Sequence, residues 1–267
     1  MPNEEESARG AHFVQSLERG LTVIRAFSAE RPSMTLSEVA RETDLTRAAA
    51  RRFLLTLVDL GYVRTDGRLF SLTPRVLELG YAYVASAGLP DVAQPHLEDL
   101  SSRVHESASV SVLEGDDVLY VARVATSRIM AVAITVGTRF PASATSMGRV
   151  LLAGRDDREL DAYLGRVELE PLTRFTVTDP DELRAELRRV REQGYSIVDQ
   201  ELEEGLRSLA APVRDAEGRV IAAANVSAHA NRSSIDDVRR DLLPALLETT
   251  SRIESDLAAV SRRDTSR

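Results

Sequence analysis

Apolar residues near the N-terminus recur at helical spacing. In residues 16–30, "SLERGLTVIRAFSAE", Leu17, Leu21, Ile24 and Phe27 follow one another at intervals of three or four. This is the period of one face of an α-helix. The pattern predicts a first helix here.

Two further helices follow, each with a recognisable start. Thr35 and Glu38 have the spacing of a capping box and open a short helix that is predicted to run to about Glu42. Thr46 is placed to cap the next helix, and Gly61 is placed to end it. The inward-facing positions of that helix are predicted to be Ala50, Phe53, Leu54 and Leu57.

Two short apolar runs in the next stretch, "YVRTDGRLFSL", are separated by an Asp-Gly pair at Asp66 and Gly67. An Asp-Gly pair between two short apolar runs predicts a β-hairpin. The hairpin would carry Arg64 and Arg68. Helix, tight turn, helix and hairpin in this order predict a winged helix-turn-helix.

The pattern changes after residue 73. A helix from about Pro74 to Ala85, before the break at residues 88–90, is predicted to link two domains. Asp179 and Pro180 predict a helix start, and Ser233 or Ser234 is placed to cap a long C-terminal helix. The other predicted elements are a helix at 90–106, two strands within 107–124, and strands at 129–136, 195–199, 206–215 and 218–228.

The predicted fold class is therefore α+β, with a largely antiparallel sheet flanked by helices in the C-terminal part. The length of 267 residues fits about two domains. The predicted division is a disordered acidic tail at 1–12, a winged helix-turn-helix at 13–73, a linker helix at 74–88, an effector-binding domain at 89–260 and a flexible tail at 261–267.

Composition narrows the function. The chain has no cysteine, which excludes disulfides and thiolate metal sites, and no apolar run long enough for a membrane span, so we expect a cytoplasmic protein without a membrane partner. The formal net charge is -8, yet residues 1–88 hold 11 arginines against 11 acidic residues. Residues 46–75 hold six arginines against only Asp59 and Asp66. A basic region therefore exists within an acidic chain.

Three of these arginines lie at the start of the second capped helix. Arg47 and Arg51 are four residues apart, with Arg52 beside them, and they project away from the apolar face. Guanidinium groups bind phosphates and guanine edges, and the first turns of a recognition helix enter the major groove. An Arg-rich helix face is more often plain solvated surface, but its place inside a winged helix-turn-helix favours DNA contact.

A loop of small and hydroxyl residues, "GTRFPASAT" at residues 137–145, precedes the helix "SMGRVLLAG". A carboxylate ligand needs converging hydroxyl and backbone donors, which a helix N-terminus supplies. The alternative is that Ser143 and Thr145 only cap this helix and that Ser208 and Ser227 only fill strand positions.

In their order and amino-acid sequence, these segments resemble the isocitrate-lyase-regulator (IclR) family of bacterial transcription factors. The resemblance rests on "SLERGLTVIRAF", "DLTRAAARRFLLTLVDLGYV", "VGTRFPASATSMGRVLLAG", "GYSIVDQELEEGLRSLAAPV" and "AAANVSA". "TSMGRVLLAG" and "VDQELEEGLRSLAAPV" further resemble the PcaR, PcaU and PobR branch, which controls aromatic-acid catabolism through the β-ketoadipate pathway. The family implies a linker helix used in dimer contacts and a GAF-like effector domain that binds a small carboxylate. It also implies a homodimer or dimer of dimers on a palindromic double-stranded DNA operator.

The resemblance also implies site residues. Many members have Ser or Thr where this chain has Ala48 and Ala49, so contact with a thymine methyl would replace hydroxyl contacts. The implied DNA-binding residues are Thr35, Ser37, Thr46, Arg47, Ala48, Arg51, Arg52 and Arg68. The implied effector-binding residues are Ser143, Ala144, Thr145, Met147, Asp199, Glu201, Ser208, Asn225 and Ser227.

Some roles stay open at this point. Asp199 and Glu201 share one face of a strand and either hold the fold or exclude the wrong ligand. Arg123 and Arg128 are candidate counter-ions for an acidic effector or simply surface charges.

An enzyme is the minority interpretation, and a sensor module without DNA binding is a further alternative. No lysine exists to activate a serine, and no glycine-rich phosphate loop is present. The histidines show no metal-ligand spacing; they are His12, His96, His105 and His229. We expect no cofactor, no metal and no catalytic residue. Turnover of a bound aromatic acid would identify an enzyme, and salt-sensitive DNA affinity would exclude the sensor alternative.

Overall fold

The computed structural model describes residues 13–28, 31–77, 79, 88–126 and 134–264. The chain divides near residue 84 into two compact units, called here the N-terminal and C-terminal units.

The N-terminal unit contains the predicted helices and hairpin. Thr35 Oγ1 accepts a hydrogen bond from Glu38 N (3.3 Å), and Glu38 accepts one from Thr35 N (2.7 Å), which confirms the capping box. Thr46 caps the next helix by accepting from Ala49 N (3.2 Å). The elements are α1 Gln15–Arg25, β1 Ser33–Thr35, α2 Leu36–Glu42, α3 Arg47–Asp59, β2 Val63–Thr65 and β3 Leu69–Leu72, followed by a turn of 3₁₀-helix at Pro74–Leu77.

The three strands form one antiparallel sheet in the order β1-β3-β2, and the sequence did not indicate β1. Helix α1 packs through Val23 in its C-terminal half, and Phe27, just after the helix, is also buried. Leu17 and Leu21, at its N-terminal half, are 62% and 48% exposed. The apolar spacing therefore located the helix but not its buried face.

The C-terminal unit is built on a six-stranded sheet in the order β6-β5-β4-β9-β8-β7, with every pair antiparallel. Its strands are β4 Ser107–Glu114, β5 Asp117–Val124, β6 Arg139–Pro141, β7 Ser196–Asp199, β8 Leu206–Arg214 and β9 Val220–His229. Its helices are α4 Leu89–Val104, α5 Ser146–Ala153, α6 Asp157–Leu164, α7 Pro180–Gln193 and α8 Leu243–Asp264. One helical turn, Ile235–Asp237, and a π-helical segment, Val238–Leu242, lead into α8.

Helices cover both faces of this sheet. On one face α4 and α8 pack through Leu97, Leu100, Leu246 and Ile253. On the other face α5, α6 and α7 contribute a second apolar cluster that includes Met147, Leu152, Leu160, Leu183 and Leu187. The α+β prediction is confirmed.

Three predicted segments differ or lie elsewhere. Most of the linker helix at 74–88 and most of the strand at 129–136 lie outside the described residues; the described end of that strand, Ile134–Val136, is loop. The segment 137–145, expected as a loop, contains the edge strand β6 and a turn of 3₁₀-helix at Ala142–Ala144. The sequence reasoning also missed α6, which begins with a capping box at Asp156 and Glu159.

Candidate DNA-binding surface and effector pocket

Helix α3 turns an apolar face inward and a basic face outward. Ala50, Leu54 and Leu57 are buried against the N-terminal core, whereas Arg47 and Arg51 are exposed on the opposite side. Arg52 and Ala48 are exposed as well. The first two turns of α3 therefore present cations and one small apolar side chain to solvent, as a recognition helix requires.

The hairpin between β2 and β3 carries two more exposed arginines, Arg64 and Arg68. Asp66 Oδ1 accepts hydrogen bonds from Arg68 N (2.9 Å) and Leu69 N (2.7 Å), and these bonds hold the pKa of Asp66 below its usual value. Gly67 has φ of +93°, a conformation that favours glycine. The turn is thus fixed by the Asp66 carboxylate, which bonds backbone amides, and the Arg68 side chain stays available.

None of the arginine side chains on α3 and the hairpin pairs with a carboxylate within the described part of the chain. These are Arg47, Arg51, Arg52, Arg64 and Arg68. Two other predicted DNA-binding residues differ in availability: Thr35 Oγ1 is hydrogen-bonded to Glu38, and Ser37 is exposed. We define the basic surface as residues 46–52, which are the cap and the first turns of α3, together with Arg64 and Arg68 of the hairpin.

The predicted pocket loop packs closely against α5 because residue 148 of that helix is a glycine. A Cβ atom on Gly148 would lie 2.1 Å from the carbonyl oxygen of Ala142, so only glycine allows the 3₁₀-turn to rest on the first turn of α5. Thr145 caps α5 by accepting a hydrogen bond from Gly148 N at 3.1 Å. The loop and helix start therefore form one rigid wall.

A small cavity of ≈ 10 Å³ lies between this wall and the sheet. That volume holds about one water molecule, so an aromatic acid needs the surrounding side chains to move apart. The predicted residues that line it are Ala144, Thr145, Met147, Ser208, Asn225 and Ser227. The lining residues missed from the sequence are Tyr120, Ile134, Ser146, Leu202 and Leu206.

Spacing gave no way to find most of the missed residues. Ser146 directly follows the predicted Thr145, and its hydroxyl was the one available indication. Leu202 and Leu206 are apolar, and Tyr120 lies on a strand far away in the sequence. Burial raises the pKa of Tyr120 to about 12, which keeps its phenol neutral at physiological pH.

The sheet face behind the cavity is polar although it is buried. Ser109, Ser111, Asn225 and Ser227 are at most 4% exposed. Asn225 Nδ2 donates to Ser227 Oγ at 3.1 Å, and Ser111 Oγ donates to Met147 Sδ at 3.2 Å. Ser146 Oγ and Asn225 Oδ1 are buried without a hydrogen-bond partner in the described residues. Because buried polar atoms are normally paired, these two are atoms that a polar ligand could satisfy.

Three predicted pocket residues support the walls and do not line the cavity. Glu201 accepts from Arg149 Nη2 (2.6 Å) and from Val177 N (3.0 Å), both inside the protein. Arg149 Nε also donates to the Ser143 carbonyl oxygen at 3.0 Å. This pairing joins α5, the 3₁₀-turn and the segment after β7.

Asp199 is likewise held by an arginine. Its two carboxylate oxygens each accept from Arg207, at 2.9 Å from Nε and 2.9 Å from Nη2. Of the two candidate counter-ions, Arg128 lies outside the described residues. Arg123 is partly buried on β5, and its Nη1 donates to Ser109 Oγ at 3.1 Å.

No group of three or more potential metal ligands occurs among the described residues. His96, for example, contacts Asp256 at 2.8 Å between α4 and α8. Across the same part of the chain, no helix is long and apolar enough to cross a membrane.

Comparison with known families decides the class of protein. Residues 16–67 match the IclR helix-turn-helix domain, and residues 81–255 match the C-terminal domain of the bacterial transcriptional regulator IclR. The chain belongs to the IclR family. Its members are transcriptional regulators, and the sequence-based assignment is confirmed.

Individual relatives agree with this assignment and with the aromatic-acid branch. The Pca regulon regulatory protein of Pseudomonas putida is 49% identical over 88% of this chain and 81% of its own length. A transcriptional regulator of Rhodococcus sp. RHA1 has 60% identity, a TM-score of 0.85, and coverage of 93% of this chain and 100% of that one. An IclR homologue of Microbacterium hydrocarbonoxydans, solved in complex with 4-hydroxybenzoate, has 29% identity, a TM-score of 0.83, and coverage of 91% and 99%.

Proposed function

We propose that this IclR-family regulator binds operator DNA through the basic surface and responds to a small aromatic carboxylate bound beside α5. The proposal is supported by two features: exposed arginines on α3 that have no carboxylate partner among the described residues, and a buried polar pocket in the other unit. The regulated genes would be those of aromatic-acid breakdown, in line with the names of the relatives.

On DNA, Arg47 and Arg51 would contact guanine edges or phosphates in the major groove, and Ala48 a thymine methyl group. Arg64 and Arg68 would contact phosphates beside it. The starts of α2 and α3 would be oriented on the DNA backbone by three hydroxyl residues, Thr35, Ser37 and Thr46. One recognition helix reads few bases, so we expect a homodimer or a dimer of dimers on a palindromic operator.

In the C-terminal unit, the effector would lie between the start of α5 and the polar face of β8 and β9. A small aromatic carboxylate of the 4-hydroxybenzoate type supplies a flat apolar ring for Met147 and the leucines, and polar groups for the unpaired atoms at each side. Ala144 lets the backbone approach the ligand closely. Asp199, Glu201 and Ser143 would act through the walls and not by touching the effector.

The experiment is isothermal calorimetry of the full chain with 4-hydroxybenzoate and protocatechuate. Removing a hydroxyl that hydrogen-bonds an uncharged ligand group costs about 0.5–1.5 kcal/mol. Ser208→Ala combined with Ser227→Ala should therefore weaken binding about tenfold. Ser143→Ala is the matched control, because its hydroxyl lies outside the cavity lining and the variant keeps the Ser143 carbonyl oxygen that accepts from Arg149. It should change the affinity little.

Three results would contradict the proposal. If neither acid binds, the assigned effector class is wrong. If the acid is converted into a product, the protein is an enzyme. Equal losses in the control and the double variant would move the pocket elsewhere in the unit.

A further inference from the structure

Among the described residues of the C-terminal unit, the arginines that are at least partly buried are Arg123, Arg149, Arg184 and Arg207. Arg149 pairs with Glu201 and Arg207 with Asp199. Arg184 pairs with Asp161. Arg123 is the exception, since it has no carboxylate partner in the described part of this unit, and its Nε is buried without a hydrogen-bond partner. The neighbouring segment 127–133 contains no acidic residue either.

The direction of the Arg123 side chain follows from strand register. Arg123 on β5 pairs with Ser109 on β4, and Ser109 pairs with Asn225 on β9. Directly paired residues on antiparallel strands share one face of a sheet. The three side chains therefore form a row on the face that carries the cavity, and Asn225 and the nearby Tyr120 line it.

The reach of Arg123 covers most of the distance to the cavity. Its Nη1 is already 3.1 Å from Ser109 Oγ on the middle strand, and the next strand lies about 4.8 Å further on. A ligand group placed between Arg123 and Asn225 could accept hydrogen bonds from Arg123 Nη1 or Nε and contact the amide of Asn225.

We propose that the carboxylate of the effector binds to Arg123, at the β5 end of the pocket, and that the start of α5 receives the uncharged end of the ligand. This assignment rests on the proposed function and specifies how the same pocket orients its ligand. The carboxylate had been expected at the start of α5.

Relative charge decides between the two ends. A helix N-terminus carries about half a positive charge, and in α5 the Thr145 hydroxyl already occupies one of its free amides. The full charge of Arg149 near that end is neutralised by Glu201 at 2.6 Å, which also places a carboxylate there. Arg123 keeps a positive charge that no carboxylate among the described residues compensates. Burial lowers the pKa of Arg123, the direction expected of a cation without an anionic partner.

The uncharged end has suitable partners. Ser146 Oγ is buried and has no hydrogen-bond partner in the part of the chain that the structure describes. A hydroxyl can both donate and accept, so it suits a phenolic hydroxyl of the ligand. A ligand oriented in this way satisfies an unpaired group at each end of the ring.

The test compares 4-hydroxybenzoate with 4-hydroxybenzamide, an uncharged ligand of the same shape, by calorimetry on the full chain. Arg123→Gln should weaken 4-hydroxybenzoate at least tenfold and change 4-hydroxybenzamide less than threefold. Ser146→Ala should weaken both ligands by similar factors. Arg139→Gln, which removes an exposed arginine on β6 that pairs with Glu114, is the control and should leave both affinities unchanged.

A second measurement needs no ligand. If Arg123 serves binding and not the fold, Arg123→Met should melt at the same temperature as the parent or higher, whereas Arg149→Met should melt lower. A clear fall in the melting temperature of Arg123→Met would overturn the inference, as would equal losses of both ligands in Arg123→Gln. Failure of the parent chain to bind any aromatic acid would overturn the proposed function as well, whereas binding that ignores Arg123 overturns only the orientation.

Discussion

Arginine is the only basic residue type besides histidine in this chain, yet the two units use it differently. On α3 and the hairpin, the exposed guanidinium groups have no carboxylate partner among the described residues. In the C-terminal unit, arginines such as Arg149, Arg191 and Arg207 are held in ion pairs between elements. An exposed cation in water stabilises a fold little, so unpaired arginines are available for a partner.

In an acidic protein, a nucleic-acid surface is therefore located by whether nearby arginines are paired with carboxylates, and not by the net charge of the chain. Arg123 extends the same reasoning into the C-terminal unit, where it is the one partly buried arginine without a carboxylate partner among the described residues. Variants of each kind of arginine test whether the two groups differ in this way.

The largest effect is expected from the buried pair in the C-terminal unit. Glu201→Ala leaves Arg149 buried and uncompensated, which should lower the free energy of unfolding by about 3–5 kcal/mol. Urea unfolding followed by circular dichroism measures it. Arg155→Ala, which removes an exposed pair with Glu159 and leaves the capping box of α6 in place, is the control and should cost about 0.3–0.5 kcal/mol. Equal effects in the two variants would show that burial does not distinguish these pairs.

A smaller effect, on DNA and not on folding, is expected for α3. Arg47→Ala or Arg51→Ala should each weaken operator binding by about 1–3 kcal/mol. The free energy of unfolding should stay within about 0.5 kcal/mol of the parent, because both side chains are exposed and unpaired. Fluorescence anisotropy with DNA from upstream of the protein's own gene measures the affinity. Unchanged affinity in both variants would show that α3 is not the recognition helix.

The hairpin is expected to contribute through phosphates. Arg68→Ala should reduce the slope of log affinity against log salt concentration by about one, with similar losses on specific and unrelated DNA. A loss limited to one base pair of the operator would instead show that Arg68 reads sequence directly.

The smallest effect concerns carboxylates and pH. Hydrogen bonds from the Ser234 side chain and backbone lower the pKa of Asp237 to about 2. A lowered folded-state pKa stabilises the fold above the unfolded value, about 3.9, and this contribution is lost as pH falls towards 2. In Asp237→Asn the free energy of unfolding should therefore vary less between about pH 4 and pH 2. An identical pH dependence in parent and variant would contradict this.

The sequence predicted the fold where local chemistry determines structure. The capping residues Thr35, Thr46 and Asp179 each start a helix, as their side-chain hydrogen bonds show. The strand β1 was not predictable, because its three residues form a strand only by pairing with β3 more than thirty residues later. Whether such a short edge strand forms depends on tertiary contacts and not on its own sequence.

The pocket was predictable only in part, for a related reason. Asn225 and Ser227 stand two apart on β9 and share one face, so a strand pattern combined with the family resemblance places both. The pattern could not reveal that Glu201 faces Arg149, from 52 residues earlier, and so supports a wall. The role of a charged residue depends on its partner, and partners distant in the chain leave no mark in local spacing.

A DNA titration that compares arginines from the two units shows most directly whether α3 forms the DNA-binding surface. The parent, an Arg47→Ala/Arg51→Ala variant and an Arg139→Ala/Arg166→Ala variant are titrated with upstream DNA at several salt concentrations. We predict that the α3 variant loses at least about tenfold in affinity and has a smaller salt slope, while the C-terminal variant matches the parent. Equal behaviour of the two variants would contradict the claim that the unpaired arginines of α3 form the DNA-binding surface.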